Sequence, residues 1–533
     1  MQSRRRSLFL STMLAGTASV FVMTAATASV AQTAPQDPAV PQDEATEVEE
    51  IVVTGTRLRL PDYVQSNPVV SVTGETIQYS GVTNVTDLLT DFPAVANSFN
   101  SVDSADTGGS ASVGLNLLNL RNLGTQRTLV LVNGRRHVAS DPGSAAVDTN
   151  TIPVGLIQNV EILTGGASAL YGADGVSGVV NFVLRERFEG LDVRAQTGWT
   201  EDGGGERSFV SALYGRNFLD DRLNLTIAGE VALDEAISQF DRDYTTPGLR
   251  EVLVGNPDDF ADDPNVPDFV FFRDVRYPDT SRGGSVYTDL DFGDSYFGFD
   301  YEGAGAVWRD GRPTSGFPVI GGSGTLLDDF VDDLSPAQDR YTINTTGRFQ
   351  LNDNHELFWE GKFARIETGF TAQPTYDFGY GPDNAFLFLG LWTGIDNPFM
   401  PTAIRNDAVT NPDGLGNPAN AALLGVDPGV FIQRDNFDLG YTGRDITRDT
   451  TRLVFGIEGD LPLGLTYEVS AVYGQTQTDN LYLNNRINDR FLAAIDVVQG
   501  PGPPAEPSSR PTIAKRVRLS GASMMSSARI SPP

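Results

Sequence analysis

From residue 190 onward, hydrophobic and polar side chains alternate with a period of two. Side chains along a β-strand point to its two faces in turn, so this pattern predicts strands with one apolar and one polar face. Seven such segments occur, at residues 190–199, 207–215, 223–233, 341–351, 357–363, 453–461 and 465–473. Segments of about ten residues with this pattern are typical of transmembrane barrel strands, and a water-soluble β-sandwich alternates in the same way.

The lengths of the connections distinguish these two architectures. Connections after the second, fourth and sixth strands are short, at 216–222, 352–354 and 462–464. Those after the third and fifth are very long, about 234–339 and 367–448, and the link after the first strand, 200–206, falls on the same side as the long ones. A bacterial outer-membrane barrel segregates short turns from long loops in this way, and a sandwich has no reason to do so. We therefore predict the N-terminal part of a barrel over residues 190–480, with long extracellular loops.

Residues 59–187 lack the long alternation and predict a small α+β domain with its own core. Short apolar runs at 68–72, 128–132, 157–163 and 179–184 read as strands, and a capped helix starts near residue 83 and stops before Pro93. The second run leads into Asn133-Gly134, the strongest short signal for a hairpin. Four glycines, at Gly165, Gly166, Gly172 and Gly178, permit a compact crossover between the last two strands.

The first 31 residues have the three parts of a secretory signal peptide. Three arginines at positions 4–6 precede an apolar stretch at 8–26, and Ser29-Val30-Ala31 supplies small residues for cleavage. An N-terminal anchor helix is the alternative interpretation. Residues 32–48 are rich in Pro, Gln, Asp and Glu, so we expect a disordered linker outside the cytoplasm.

Composition excludes several classes of chemistry. The chain has no cysteine and only two histidines, His137 and His355, which leaves no basis for a cysteine or multi-histidine metal site. The formal net charge of −31 argues against binding nucleic acid. We find no nucleophile elbow, zinc-protease motif or phosphate-binding loop. We accordingly predict no enzyme activity, no catalytic residue, no metal and no cofactor.

Four stretches together carry a resemblance to a known family. They are EEIVVTGTR at 49–57, LLNLRNLG at 117–124, RTLVLVNGRR at 127–136 and VEILTGGASALYGADGVSGVVNFVLR at 160–185. In this order and over about 140 residues they resemble the plug domain of TonB-dependent outer-membrane receptors. The resemblance implies an α+β plug domain followed by an antiparallel transmembrane β-barrel, which in the family has 22 strands. It also implies a Gram-negative outer membrane, with the plug and the N-terminus facing the periplasm.

The resemblance assigns roles to particular residues. It makes 49–57 a TonB-box-like segment, in which Glu50, Ile51, Val52, Val53 and Thr54 pair with the periplasmic energy-transducing protein TonB; a first plug strand is the alternative. The structural plug motif consists of Arg121, Asn133, Gly134, Gly165, Gly166, Tyr171, Gly172, Gly178 and Asn181. We expect Arg121, Arg127 and Arg185 to form charge pairs with the barrel wall, for instance with Glu230 or Glu360. His137 is expected to be a solvated hairpin residue, with a ligand-facing loop apex as the alternative.

The function implied is energised uptake of a scarce nutrient, a siderophore, an oligosaccharide or similar. Outer-membrane lipid and a small to medium ligand of unknown class are the other expected partners. A ligand-binding or signalling protein without transport and a passive barrel porin are the alternatives. Residues 501–533 hold five basic residues and one acidic residue, unlike the acidic chain before them. We expect this segment to be the aberrant tail of an incomplete, non-functional receptor that is truncated or frameshifted; a natural basic tail is the other interpretation.

Overall fold

The computed structural model describes residues 69–103, 112–141, 143–165, 168–245, 250–258, 265–290, 298–301, 305–315, 318–330, 332–377, 390–462, 464–495, 497–499 and 513–515. All of them belong to one compact unit, Val53–Pro533. The predicted signal peptide, linker and TonB-coupling segment, and all but three residues of the predicted tail, lie outside the described residues. No helix within the described ranges is long and apolar enough to cross a membrane.

The first part of the described chain is a small mixed α/β layer, the plug. Its strands and helices are β1 (Val69–Thr73), α1 (Gly74–Tyr79), α2 (Val85–Leu89), β2 (Thr128–Val132), β3 (Arg135–Arg136), β4 (Ile157–Leu163), α3 (Ser168–Tyr171) and β5 (Gly178–Leu184). The sheet order is β1-β4-β5-β2-β3, with β2 and β5 parallel and the other pairs antiparallel. Thr73 and Asn84 cap α1 and α2 by accepting backbone hydrogen bonds, which explains why the helices start where they do.

The plug has its own hydrophobic core. Residues of the central strands β4 and β5, such as Val160, Ile162 and Phe182, are fully buried with the apolar face of α1 and α2. Continuous apolar runs of this kind are expected of strands covered on both faces. The plug is therefore held together mainly by apolar packing within itself.

Seven long strands form the second sheet, the wall. They are β6 (Gly190–Gly198), β7 (Arg207–Phe218), β8 (Leu223–Asp234), β9 (Ala337–Asn352), β10 (His355–Pro374), β11 (Tyr441–Leu461) and β12 (Leu465–Leu483). Each pairs antiparallel with the next along the chain, so the sheet is a simple meander with β6 and β12 at its edges. Each of the seven alternating segments falls on one of these strands, but β10, β11 and β12 extend well beyond the segments 357–363, 453–461 and 465–473.

Burial along the wall is the inverse of that in a soluble sheet. In β8 the apolar side chains of Leu225, Ile227 and Val231 are exposed, whereas Thr226 and Glu230 between them are buried. The same holds in β9 and in most of β11. The inner face of β10 is mixed, because Phe358, Ile366 and Phe370 are buried on the same face as Glu360 and Lys362. Apolar side chains outside and polar side chains inside are what a lipid-facing wall requires.

The two long connections fold together, since Ser285–Tyr287 of the first pairs with Gly429–Asp435 of the second in a six-stranded sheet. In the second connection, α4 (Thr402–Thr410) and α5 (Pro418–Leu423) pack near this sheet. Outside the connections, α6 (Asn488–Ile495) follows β12. Further short strands are Ile237–Ser238, Val252–Gly255, Phe269–Phe272, Val275–Arg276, Ser285–Tyr287, Phe299–Asp300, Ala306–Val307, Arg312–Pro313, Val319–Ile320, Asp333–Ser335, Tyr376–Asp377, Leu391–Gly394, Gly429–Asp435, Val497–Gln499 and Ile513–Lys515.

The predicted fold class, an α+β plug followed by antiparallel barrel-type strands, is confirmed. The predicted domain boundaries stay predictions. One expectation is wrong: His137 is not a solvated hairpin residue, because only 9% of it is exposed. The hairpin that carries it lies against the wall, which the sequence of the hairpin alone does not reveal.

Candidate functional site: the plug hairpin against the wall

The turn between β2 and β3 brings predicted plug residues together. Asn133 and Gly134 both have positive φ, 51° and 73°, as a two-residue hairpin turn requires. The backbone amide of Gly134 donates to the side chain of Asn181 (2.9 Å), and the side-chain oxygen of Asn133 accepts from the Leu184 amide (2.8 Å). Asn181 in turn donates to Glu161 (3.3 Å). These bonds fix the hairpin on the neighbouring strand β5.

Glu360 on β10 is the point where this hairpin is attached to the wall. Its Oε1 accepts from the side-chain nitrogen Nδ2 of Asn133 at 3.0 Å and from the Arg135 guanidinium at 3.1 Å. Its Oε2 accepts from Arg452 of β11 at 2.6 Å. The side chains of Arg135 and Glu360 are each 10% exposed and that of Arg452 only 2%. One carboxylate therefore joins two buried arginines, one from the plug and one from the wall.

His137 makes a second contact between the hairpin and β10, at Lys362, two residues beyond Glu360. The ammonium group of Lys362 lies 3.0 Å from His137 Nε2, and the carbonyl of Val138 lies 3.2 Å from Nδ1. Because the Val138 carbonyl only accepts, Nδ1 carries the imidazole proton, which leaves Nε2 as the acceptor for Lys362. Burial, followed by the charges of Lys362 and Arg452, holds the pKa of His137 well below its usual value. The imidazole is therefore neutral in this site.

A second charged cluster joins the end of the plug to the turn side of the wall. Arg348 on β9 donates to Glu356 at 2.6 Å and to Glu458 at 2.7 Å, and it also pairs with Glu186 in the link after β5. Arg187 pairs with Glu356 as well. Burial raises the pKa of Glu186, and the charge of Arg348 opposes that shift. This cluster fixes the chain where it passes from plug to wall.

Further polar groups of the wall bind backbone atoms of the plug. Arg340 donates to the Thr83 carbonyl (2.7 Å), Arg448 to the Val113 carbonyl (2.8 Å) and Gln338 to the Gly114 carbonyl (2.6 Å). Glu230 accepts from the Val154 amide at 3.0 Å. The wall thus binds the plug through charged side chains and main-chain groups. Apolar contacts accompany them: Val113 lies on Phe370, Ala372 and Ile446, and the plug core packs on Leu213 and Ala228 of the wall.

The three arginines expected to bind the wall behave differently. Arg185 pairs with Asp192 of β6 at 3.3 Å, which is a wall contact. Arg127 donates within the plug, to the Leu123 carbonyl at 3.2 Å. Within the described residues no ion pair joins Arg121 or Arg127 to the wall. The expected acceptor Glu360 is used, by Arg135 and Arg452, and Glu230 accepts from a backbone amide rather than from one of these arginines.

The remaining plug-motif residues lie around the crossover between β4 and β5. Tyr171 receives a hydrogen bond on its carbonyl from Arg136 (2.7 Å), and Gly165, Gly172 and Arg121 all have positive φ. At Gly178, φ is 140° and an added Cβ would lie 2.2 Å from the Leu163 carbonyl oxygen, so a side chain does not fit. Gly166 lies outside the described residues.

Sequence reasoning missed Arg135, His137, Lys362 and Arg452 as interface residues. For the two hairpin residues a signal existed, because they immediately follow Asn133-Gly134 within a motif already singled out. For the wall residues the signal was a pair of charged residues two positions apart, because Glu360 and Lys362 lie on the same, inward-facing side of β10. Neither signal identifies the partner.

Comparison with known proteins places the plug in a family. Residues 63–179 match the TonB-dependent Receptor Plug Domain model. Among solved structures, the siderophore receptor PirA from Acinetobacter baumannii aligns with a TM-score of 0.37 and 16% identity, over 77% of this chain and 40% of that one. The ferric enterobactin receptor PfeA from Pseudomonas aeruginosa aligns with a TM-score of 0.34 and 14% identity, over 78% and 50%.

The ferric citrate transporter FecA aligns with a TM-score of 0.35 and 11% identity, over 78% of this chain and 48% of that one. The chain thus spans half or less of the length of these three receptors. The match of residues 63–179 shows that this part of the chain is a plug domain of the TonB-dependent receptor type.

Proposed function

We propose that this chain serves energised uptake of a scarce nutrient across the outer membrane, by TonB-driven displacement of the plug. The observation that carries the proposal is the contrast between the plug's apolar core and its mainly polar attachment to the wall. Polar interfaces between units of one chain are typical of contacts that are made and broken. A plug attached in this way can move as a folded body.

Coupling to TonB is proposed for Glu50, Ile51, Val52, Val53 and Thr54, which precede the first described plug strand by about 15 residues of chain. A short apolar segment on a tether can add a strand to a partner sheet, where main-chain hydrogen bonds supply the affinity. Pulling on this segment would apply force to the N-terminal end of the plug. For the plug to move, the hydrogen bonds and ion pairs at Glu360 and Arg348 must break.

The experiment is binding of the purified chain to the periplasmic domain of TonB. We expect Val52→Pro to weaken binding at least tenfold, because proline removes one ladder hydrogen bond and disrupts the added strand. Val48→Pro, in the predicted linker, is the matched control and should bind as the parent chain does. Equal binding of Val52→Pro and the parent would reject the coupling role.

The ligand is proposed to be a siderophore, an oligosaccharide or a similar nutrient that meets the folded long connections. Exposed aromatic side chains such as Phe269 and Phe271 offer flat apolar surfaces there. Signalling without transport is separated from uptake by energy dependence: a receptor that only signals binds its ligand without accumulating it. We also propose that the plug and the N-terminus face the periplasm and that outer-membrane lipid contacts the exposed apolar face of the wall.

A further inference from the structure

Two basic groups meet inside the plug–wall contact, which is an unusual arrangement. His137 of the plug and Lys362 of the wall are both buried and lie 3.0 Å apart, and their contact is satisfied only while the pair carries no more than one positive charge. Protonation would remove the acceptor lone pair on Nε2. It would also place two positive charges in contact at a site from which water is excluded. We therefore expect the contact between His137 and Lys362 to break when Nε2 of His137 is protonated.

The groups around the imidazole do not offset that added charge. Lys362 and Glu360 face it from β10, Arg452 from β11, and Arg135 lies beside it on its own hairpin. Glu360 already accepts from Arg135, Arg452 and Asn133, and Glu468 on β12 is occupied by Arg135. Thr151, 3.4 Å from Nε2, carries no charge. A proton on His137 therefore meets an excess of positive charge.

We propose that His137 and Lys362 form an acid-sensitive latch, in which protonation of His137 releases the plug hairpin from the wall. The latch is a property of the plug–wall contact and does not depend on transport or on the ligand. The direction of the pH dependence follows from the difference in proton binding between the latched and the released state. The latched state excludes the proton, while the released state binds it with the usual histidine pKa of about 6.5. Latching is complete above that pH and weakens as the pH falls below it.

The size of the effect follows from the same linkage. For one such group the ratio of released to latched protein grows about tenfold for each pH unit below the histidine value. Between pH 7.5 and pH 5.0 this amounts to about 30-fold. A change of that size is measurable even if the released state is rare, provided that the assay detects rare openings.

Labelling of a single buried cysteine provides such an assay. The chain has no cysteine, so Ala364→Cys introduces a unique thiol. Ala364 is fully buried on the inner face of β10, two residues beyond Lys362, so a reagent reaches it only when the plug leaves that patch. The rate of alkylation, divided by that of a cysteine peptide at the same pH, measures release. We expect this ratio to rise about 30-fold from pH 7.5 to pH 5.0.

His137→Gln is the decisive variant, since glutamine keeps an acceptor oxygen for Lys362 but does not titrate. Its labelling ratio should rise at least tenfold less than that of the parent over this pH range, whereas His355→Gln, which alters the other histidine, should keep the full pH response. A flat profile in the parent, or a slope in His137→Gln equal to that of the parent, would overturn the proposal. Should His137→Gln not fold, imidazole nitrogen shifts decide instead: His137 must stay neutral and protonated on Nδ1 in the latched state, and a charged latched imidazole refutes the latch.

Discussion

Replacing Glu360 by glutamine isolates the contribution of one carboxylate to holding the plug. Glutamine keeps the volume and one acceptor oxygen, but it removes the charge and sets an NH2 group among donors. Arg452, 2% exposed, and Arg135, 10% exposed, then lose their shared counter-charge without regaining water. Breaking a buried ion pair by removing one partner costs about 3–5 kcal/mol. We take that range for release of the hairpin, because both arginines would be solvated once the hairpin leaves.

The labelling ratio of the Ala364→Cys reporter measures this cost at pH 7.5, where the His137–Lys362 contact is intact. A loss of about 3–5 kcal/mol corresponds to an increase of roughly two to three and a half orders of magnitude in the released fraction. The matched control is Glu468→Gln, which removes a second carboxylate from the same arginine. The Glu468 side chain is 45% exposed, so its pair is worth about 1 kcal/mol at most and its removal should raise labelling no more than about fivefold.

Two outcomes would refute this reasoning. If Glu360→Gln and Glu468→Gln raise labelling equally, burial does not govern the strength of these pairs. If neither raises it, the hairpin is not held by charge, and the apolar contacts around Val113, Leu213 and Ala228 hold the plug instead. The proton-dependent slope is a separate quantity and should persist in Glu468→Gln.

Two further substitutions test the plug and the wall separately. Gly178→Ala should destabilise the plug by about 2 kcal/mol or more, because φ is 140° and the new Cβ meets the Leu163 carbonyl oxygen. Gly134→Ala, with φ 73° and open space, should cost about 1 kcal/mol, and thermal unfolding midpoints of the two variants measure the difference. Phe455→Arg should cost about 2–4 kcal/mol of wall stability in lipid, since this 62% exposed side chain points outward in the apolar part of β11. Gln475→Arg, on the polar part of the outward face, should cost little; equal insertion of both into membranes would contradict the predicted lipid-facing surface.

Periodicity made the wall predictable from the sequence. A lipid-facing strand needs apolar side chains at every second position, so segments such as 223–233 are marked along their whole length. The Asn133-Gly134 turn was predictable for a related reason, since few residue pairs accept two positive φ angles. The strands and helices inside the two long connections were not predicted. They are short, and their order comes from packing among themselves rather than from a repeating pattern.

The partners of the buried charges could not be predicted either. Arg135 and Glu360 lie 225 positions apart, and alternation tells which face Glu360 occupies but not which plug residue meets it. His137 illustrates the difficulty. A polar residue just after a hairpin turn is usually solvated, but here the wall covers it. The polar residues of the hairpin lie against polar residues of the wall. The sequence of the hairpin alone cannot distinguish a polar residue buried against such a surface from one exposed to water.

The polar residues on the inner face of the wall determine how the plug hairpin is held. A polar inner face is unavoidable in a wall whose outer face meets lipid, because a strand with both faces apolar would have no polar side to meet the plug or water. At the hairpin the plug is therefore attached by hydrogen bonds and ion pairs, which depend on protonation and geometry, whereas its apolar contacts with the wall lie elsewhere, at residues such as Leu213 and Phe370. Glu360 and Lys362 lie on the inner face of β10 and bind Asn133 and His137 of the hairpin. A change in one proton or one carboxylate there weakens the attachment of the hairpin, while the apolar core of the plug stays intact.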